Sequence, residues 1–193
     1  MARVREFDTD TAVEAAMNAF RTKGYEGTSV QDLVDATGVG RGSLYAAFGS
    51  KEGLYLAAMD RYREQYALPL VEVLRSGAPG RELLREVLVA AVDEIARDGS
   101  RRACLIVGAA MERVAHDPRV ATHVESTTAL LEDALAQVVA QAQADGQVSG
   151  KRDARDLARY LVVTMHGLRV MGAINPDREA LTAVVDAALD ALG

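Results

Sequence analysis

Between Thr28 and Leu54 the chain reads TSVQDLVDATGVGRGSLYAAFGSKEGL, and its closely spaced glycines leave room only for short helices joined by tight turns. Thr28, followed three residues later by Gln31, has the spacing of a capping box that starts a helix. Val30, Leu33 and Val34 give that helix one apolar face. Gly38 predicts its end, because a left-handed C-terminal residue costs least without a Cβ. Gly40 is a weaker but permissible cap for a second helix, Arg41 to Ala47, which buries Leu44 and Phe48 and exposes Arg41, Ser43 and Tyr45. Ser50 then caps a longer helix with Lys51 and Glu52 in its first turn. A compact pair of this kind offers the end of its second helix to the major groove of DNA.

Helical spacing continues on both sides. A first helix is expected to start after Asp8 or Asp10 and to end at Gly24. The helix after Ser50 carries Leu54, Ala58, Tyr62 and Tyr66 as far as Pro69, where a kink or break is expected. SGAPG at 76–80 is a loop, and a helix from Arg81 to about Arg97 follows. After DGSRR come a short helix from about Ala103 to His116, one from Asp117-Pro118 to about Ala144, one from Asp153 to Ile174, and a last one beyond Asn175-Pro176-Asp177. Strict alternation is nearly absent, so the fold class is all-α. With 193 residues, 49% of them hydrophobic, the chain can bury a core in one or two helical units.

Several function classes are excluded. No apolar run is long enough to span a bilayer, and MARVREFDTD lacks the apolar core of a signal peptide. One cysteine gives no disulfide framework and fits a reducing cytoplasm. His116, His123 and His166 have no metal-ligand spacing with Cys104, and neither HExxH nor CxxC occurs. No GxSxG elbow or phosphate-binding glycine loop is present, so no catalytic machinery, metal or cofactor is expected. The net charge of −6 argues against a nucleic-acid partner until its placement is considered. No acidic residue lies between Asp35 and Glu52, where Arg41 and Lys51 occur, and Arg3 and Arg5 stand in the N-terminal arm. So few basic groups neutralise few phosphates, and strength must come from pairing two chains.

The order of these residues resembles the DNA-binding region of TetR-type transcriptional regulators. The shared features are an amphipathic helix with Ala16, Met17 and Phe20, the terminator Lys23-Gly24-Tyr25, Thr28-Ser29-Val30, Gly38-Val39, Gly42-Ser43-Leu44-Tyr45, Phe48, and Ser50-Lys51-Glu52 with Leu54. The resemblance spans roughly residues 6–66, with the helix-turn-helix at about 29–48. Gly40 stands where the family commonly has a Ser cap, and Ala46-Ala47 where it often carries an aromatic residue or His. It implies a homodimer on a pseudo-palindromic operator, with residues 67–193 forming an effector-binding and dimerisation domain. Arg41 and Ser43 would read bases or hold phosphate, Thr28, Ser29, Tyr45 and Lys51 would clamp phosphate, and Gly42 would allow close approach.

The last two helices carry apolar stripes: Leu157, Leu161, Thr164, Leu168 and Met171 on one, Leu181, Val184, Val185, Ala188 and Leu189 on the other. Val162, Val163, Met165, Val170 and Ile174 make the first apolar over much of its circumference, so it must be buried on several sides. A two-fold four-helix interface between subunits accounts for both. The resemblance also places Met59, Tyr62, Tyr66, Met111, Tyr160, Met165 and His166 around a cavity for a small apolar or amphipathic effector. Arg169 pairs either an anionic ligand or, more simply, an acid on a neighbouring helix. Cys104, after Arg101-Arg102, is a redox or electrophile sensor or a buried apolar residue. The expectation is a ligand-responsive regulator, most simply a repressor. The alternatives are a redox regulator through Cys104, or a helical enzyme or carrier of hydrophobic ligands.

Overall fold

The computed structural model describes residues 7–77, 80–98 and 104–193; Arg3, Arg5, Arg101 and Arg102 lie outside them. The chain is all-α. Its elements are α1 Thr9–Lys23, α2 Val30–Thr37, α3 Arg41–Phe48, α4 Lys51–Tyr62, a π-helical turn Arg63–Ala67, α5 Leu68–Leu74, α6 Gly80–Asp98, α7 Leu105–Glu112, α8 Pro118–Ala144, α9 Ala154–Ile174 and α10 Arg178–Asp190. Caps set most of the starts. The carboxylates of Asp8, Asp153 and Asp177 accept from the first-turn amides of α1, α9 and α10, and the Ser50 hydroxyl accepts from the Gly53 amide. Asp117 accepts from the Arg119 amide at 2.9 Å, with Pro118 as the first helical residue.

The break expected near Pro69 takes the form of the π turn just before it. Pro69 has no N–H to give the carbonyl one turn back, and its ring crowds that carbonyl, so the ladder widens there instead of stopping.

The chain divides into two units. The first holds the residues up to Gln65 together with Leu105–Val124; the second holds Tyr66–Cys104 and Glu125–Gly193. Segment 105–124, which the sequence places with the C-terminal part, packs with the first unit, where α7 contacts α1 and α4 and buries Leu105, Ile106 and Ala109. Phe20, Tyr25 and Tyr55 form the aromatic centre of this unit. Phe20 and Tyr25 each meet the Tyr55 ring edge-on, at centroid distances of 4.8 Å and 4.9 Å.

In the second unit α6 packs on α9 and α10, and α8 contributes Leu135, Val138 and Val139 to the same core. Here the structure corrects the interface expectation. Leu157, Leu161, Leu168, Leu181, Val185 and Leu189 all lie inside this core, and Ala188 is buried as well. Of the stripe residues, Thr164 is half-buried, and only Met171 and Val184 are exposed. The most regular apolar stripe is the one a single chain buries first, so it reports the intrachain core. The apolar residues left over on α9 form a second face: Tyr160, Val163, Val170, Met171 and Ile174, with Val163 at 69% and Ile174 at 64% exposure.

Gly172 lets α9 approach α6, since a Cβ there would lie 2.2 Å from Ile95 Cγ2. Gly172→Ala is therefore expected to destabilise the protein by about 1–3 kcal/mol through overpacking, despite a helix-propensity gain of about 1 kcal/mol. Adding Ile95→Ala should recover part of that loss. Urea denaturation checks this, and a Gly172→Ala protein as stable as the parent contradicts it.

Candidate nucleic-acid interface

The start of α2 is one residue later than the sequence suggests. Ser29, not Thr28, is the cap: its hydroxyl accepts from the Asp32 amide at 3.1 Å, while the Asp32 carboxylate accepts from the Ser29 amide at 2.8 Å. Gln31 instead donates to Asp35 at 2.8 Å. Thr28 is 0% exposed and gives its hydroxyl to the Gly24 carbonyl at 2.6 Å, which withdraws it from the surface on which a phosphate clamp must lie. Lys23 pairs with Asp32 as well.

Gly38 ends α2 in the left-handed region at φ 67°, and its N–H returns to the Val34 carbonyl at 2.9 Å. Gly40 then opens α3 without a side-chain cap, and its carbonyl accepts from the amides of Ser43 and Leu44. The amides of Arg41 and Gly42, one step earlier, have no intrahelical acceptor and stand at the positive end of the helix, an arrangement suited to phosphate. Arg41 is exposed, its guanidinium carbon 5.3 Å from the centroid of the half-buried Tyr45 ring. Ser43 is half-buried, Gly42 is exposed with open space where a Cβ would be, and Ala46 and Ala47 are exposed. Leu44 is the buried anchor of α3, and Phe48 is only half-buried. Lys51 lies over the Tyr25 ring, its Nζ 4.2 Å from the centroid. Arg41, Gly42, Ser43, Tyr45 and Lys51 therefore occur together on α3 and the start of α4, with Ser29 at the start of α2. Such a stretch, with Arg41 and Lys51 and no acid between Asp35 and Glu52, can meet a polyanion.

The residues expected around an effector cavity scatter. Met59 and Tyr62 are buried in the first unit, which makes them part of its core. Met111 is 83% exposed, and Tyr160 is on the exposed face of α9. Tyr66 and Met165 do line one cavity, of about 280 Å³, with Leu70, Val73, Val87, Ala90 and Ala91. Glu86, Glu94 and Arg169 supply its polar edge, and Arg169 pairs with Glu94 at 3.5 Å, as its simpler reading requires. His166 is half-buried, and its Nδ1 has no hydrogen-bond partner among the described residues. Cys104 is a buried thiol.

Glu112 and Arg113 carry no sequence signal, yet they reach the turn between α1 and α2. Glu112 accepts from the Glu26 amide, and Arg113 lies over the Tyr25 ring.

Residues 12–58 match the family model described as "Bacterial regulatory proteins, tetR family", and residues 80–188 match "Tetracyclin repressor-like, C-terminal domain". Over all 193 residues the chain is 33% identical to the uncharacterized HTH-type transcriptional regulator YezE of Bacillus subtilis, with 100% of each covered. It is 29% identical to the HTH-type transcriptional repressor ComR of Escherichia coli, over 97% of this chain and 90% of that protein. Among solved structures, a cysteine-substituted TetR family regulator, CifR, complexed with 26-base-pair double-strand operator DNA, matches with a TM-score of 0.87. The identity is 33%, and 100% of both chains is covered.

Hydrogen bonds from Lys23, then from the Ser29 hydroxyl and amide, hold the Asp32 carboxyl well below the usual carboxylate range. A pKa depressed by folding contributes stability that is fully present above the unfolded value, about 4, and is lost as pH falls through the folded value. Asp32→Asn mimics the protonated side chain, so it should lower Tm at pH 7, and the gap to the parent should close as both are acidified below about pH 4. A gap that stays constant from pH 7 to pH 2 contradicts this.

Proposed function

Because this chain belongs to the TetR family of bacterial regulatory proteins, and so is a DNA-binding transcriptional regulator, we propose that it is an effector-released repressor acting on cytoplasmic DNA as a homodimer. The observation that carries the reading is α3 itself: an exposed Arg41 at an uncapped helix start, with no acid until Glu52. Arg41 reads a base edge or holds phosphate, Ser43 and Tyr45 support it, and Lys51 and Ser29 border the backbone. Thr28 acts one step back, by fixing the turn that places Ser29.

Two chains supply the strength that so few cations lack. The second apolar face of α9, with Val184 on α10, supports pairing through these two helices. Thr164, Met171 and Val184 remain from the expected set, joined by Val163, Val170 and Ile174. A two-fold pair sets two α3 helices about one helical turn of DNA apart, which calls for an inverted repeat.

The cavity lined by Tyr66, Val87, Met165 and Arg169 supports a small amphipathic effector, its body against the aliphatic wall and its polar end near the Arg169–Glu94 pair. Such a ligand releases DNA only by favouring the arrangement of reading heads that fits the operator worse. The repressor named ComR among the relatives favours repression over activation. The burial of Cys104, at 6% exposure, favours its reading as a packed residue over that of a sensor.

Selection from random duplexes should enrich an inverted repeat. On that repeat, Lys51→Ala with Tyr45→Phe is expected to weaken binding of all sequences alike. Arg41→Ala should also relax the preference at one base pair by about 1–3 kcal/mol. Fluorescence anisotropy against a panel of single-base variants measures both. If both proteins bind like the parent, α3 is not the reading element.

A further inference from the structure

Three consecutive residues of the turn after α1 are gripped by two consecutive residues at the end of α7. Gly24 closes α1 at φ 73°, and a Cβ there would lie 2.2 Å from Glu112 Oε1. The other oxygen of that carboxylate, Oε2, accepts from the Glu26 amide at 2.9 Å. Arg113 Nη1 is 3.3 Å from Glu26 Oε1, and its guanidinium carbon is 4.3 Å from the centroid of Tyr25. The Arg113 side chain is largely covered, with Asp117 Oδ2 3.8 Å from its Nη2. Tyr25 is buried; burial, then its hydrogen bond to Glu52, pushes its hydroxyl up to about 12, so it remains a donor at neutral pH.

This turn leads directly into the reading helices. The Gly24 carbonyl takes the Thr28 hydroxyl, and the next residue, Ser29, caps α2. A shift of the 24–26 backbone therefore moves the start of α2, and α3 follows through a turn of only Gly38, Val39 and Gly40. The grip is a hydrogen bond to one fixed side-chain oxygen plus a covered guanidinium, both directional and intolerant of displacement, unlike an apolar contact that can slide.

We propose that Glu112 and Arg113 are positioning residues for operator binding: they hold the Gly24–Glu26 turn, and through it α2, where α3 can enter the groove. The proposal rests on the reading of α2 and α3 as the DNA-binding pair. Neither residue touches DNA. Glu112 acts as a fixed acceptor, and its negative charge is incidental to that task. Gly24 is part of the device, because any side chain there would displace the carboxylate.

The test compares Glu112→Ala, Glu112→Gln and Arg113→Lys with the parent on the selected operator duplex, and follows exchange of the Glu26 amide by NMR. Glu112→Ala is expected to weaken operator binding about tenfold and to speed Glu26 exchange. Glu112→Gln keeps a carbonyl acceptor for the Glu26 amide and should return to within about twofold of the parent in binding. Arg113→Lys keeps the charge without the planar group over Tyr25 and should fall between them. The proposal is overturned if Glu112→Ala leaves Glu26 exchange unchanged, or if it binds operator as the parent does. Failure of Gln to restore binding overturns it too. A parent that binds no duplex would instead sink the DNA-binding reading, and Glu26 exchange would still decide whether the grip exists.

Discussion

Phe20 at the end of α1 and Tyr25 just beyond it each meet Tyr55 of α4 edge-on, and the reading helices depend on that contact. At eight residues each, α2 and α3 are too short to persist alone in water. They hold their shape because α1 and α4 form a platform, against which each buries one leucine, Leu33 or Leu44. With the inner faces held in this way, the outer side chains of α3 are released from structural duty. Arg41 and Ser43 can face a ligand as large as a duplex without the helix pair losing its place.

In the proposed function, the regulator needs its reading heads firm and their separation adjustable. Firmness comes from local devices in the first unit: the Ser29–Asp32 box, the buried Thr28 hydroxyl and the aromatic centre. Adjustability, in the proposed function, comes from a cavity in the second unit. That cavity has an aliphatic wall and an ion pair at its edge, which an amphipathic molecule can reorganise. Tyr66, in its lining, is itself part of the π turn that follows the head's buried Tyr62 along the chain. A widened helical turn of this kind often marks a functional site.

Local chemistry was the part of this structure legible in the sequence. Ser50, Asp117 and Asp153 cap where the sequence expects, and of the two starts offered for α1, Asp8 and Asp10, Asp8 is the cap, because a side-chain cap needs only its own next turn. The start of α2 slipped by one residue because Thr28 with Gln31 and Ser29 with Asp32 are equally good boxes on paper. Lys23 favours the second by pairing with Asp32, and burial of Thr28 removes the first. Periodicity marked the apolar faces of α9 and α10 correctly as buried, but period alone cannot say what buries them. The regular stripe went to the chain's own core, and the ragged remainder stayed outside. Met59 and Met111 show the same limit, one buried in the head and the other almost bare. The hold of Glu112 and Arg113 on the turn after α1 was invisible because their partner there, Glu26, lies more than eighty positions away, beyond any helical spacing.

The central claim is that α3 and its two flanking turns form the surface that meets DNA. Amide hydrogen exchange of the protein with and without its selected operator duplex tests this most directly. Protection on binding should concentrate between Thr37 and Glu52, with a lesser effect at Ser29 and Val30. Protection confined to α9 and α10, or absent from α3, would contradict the account.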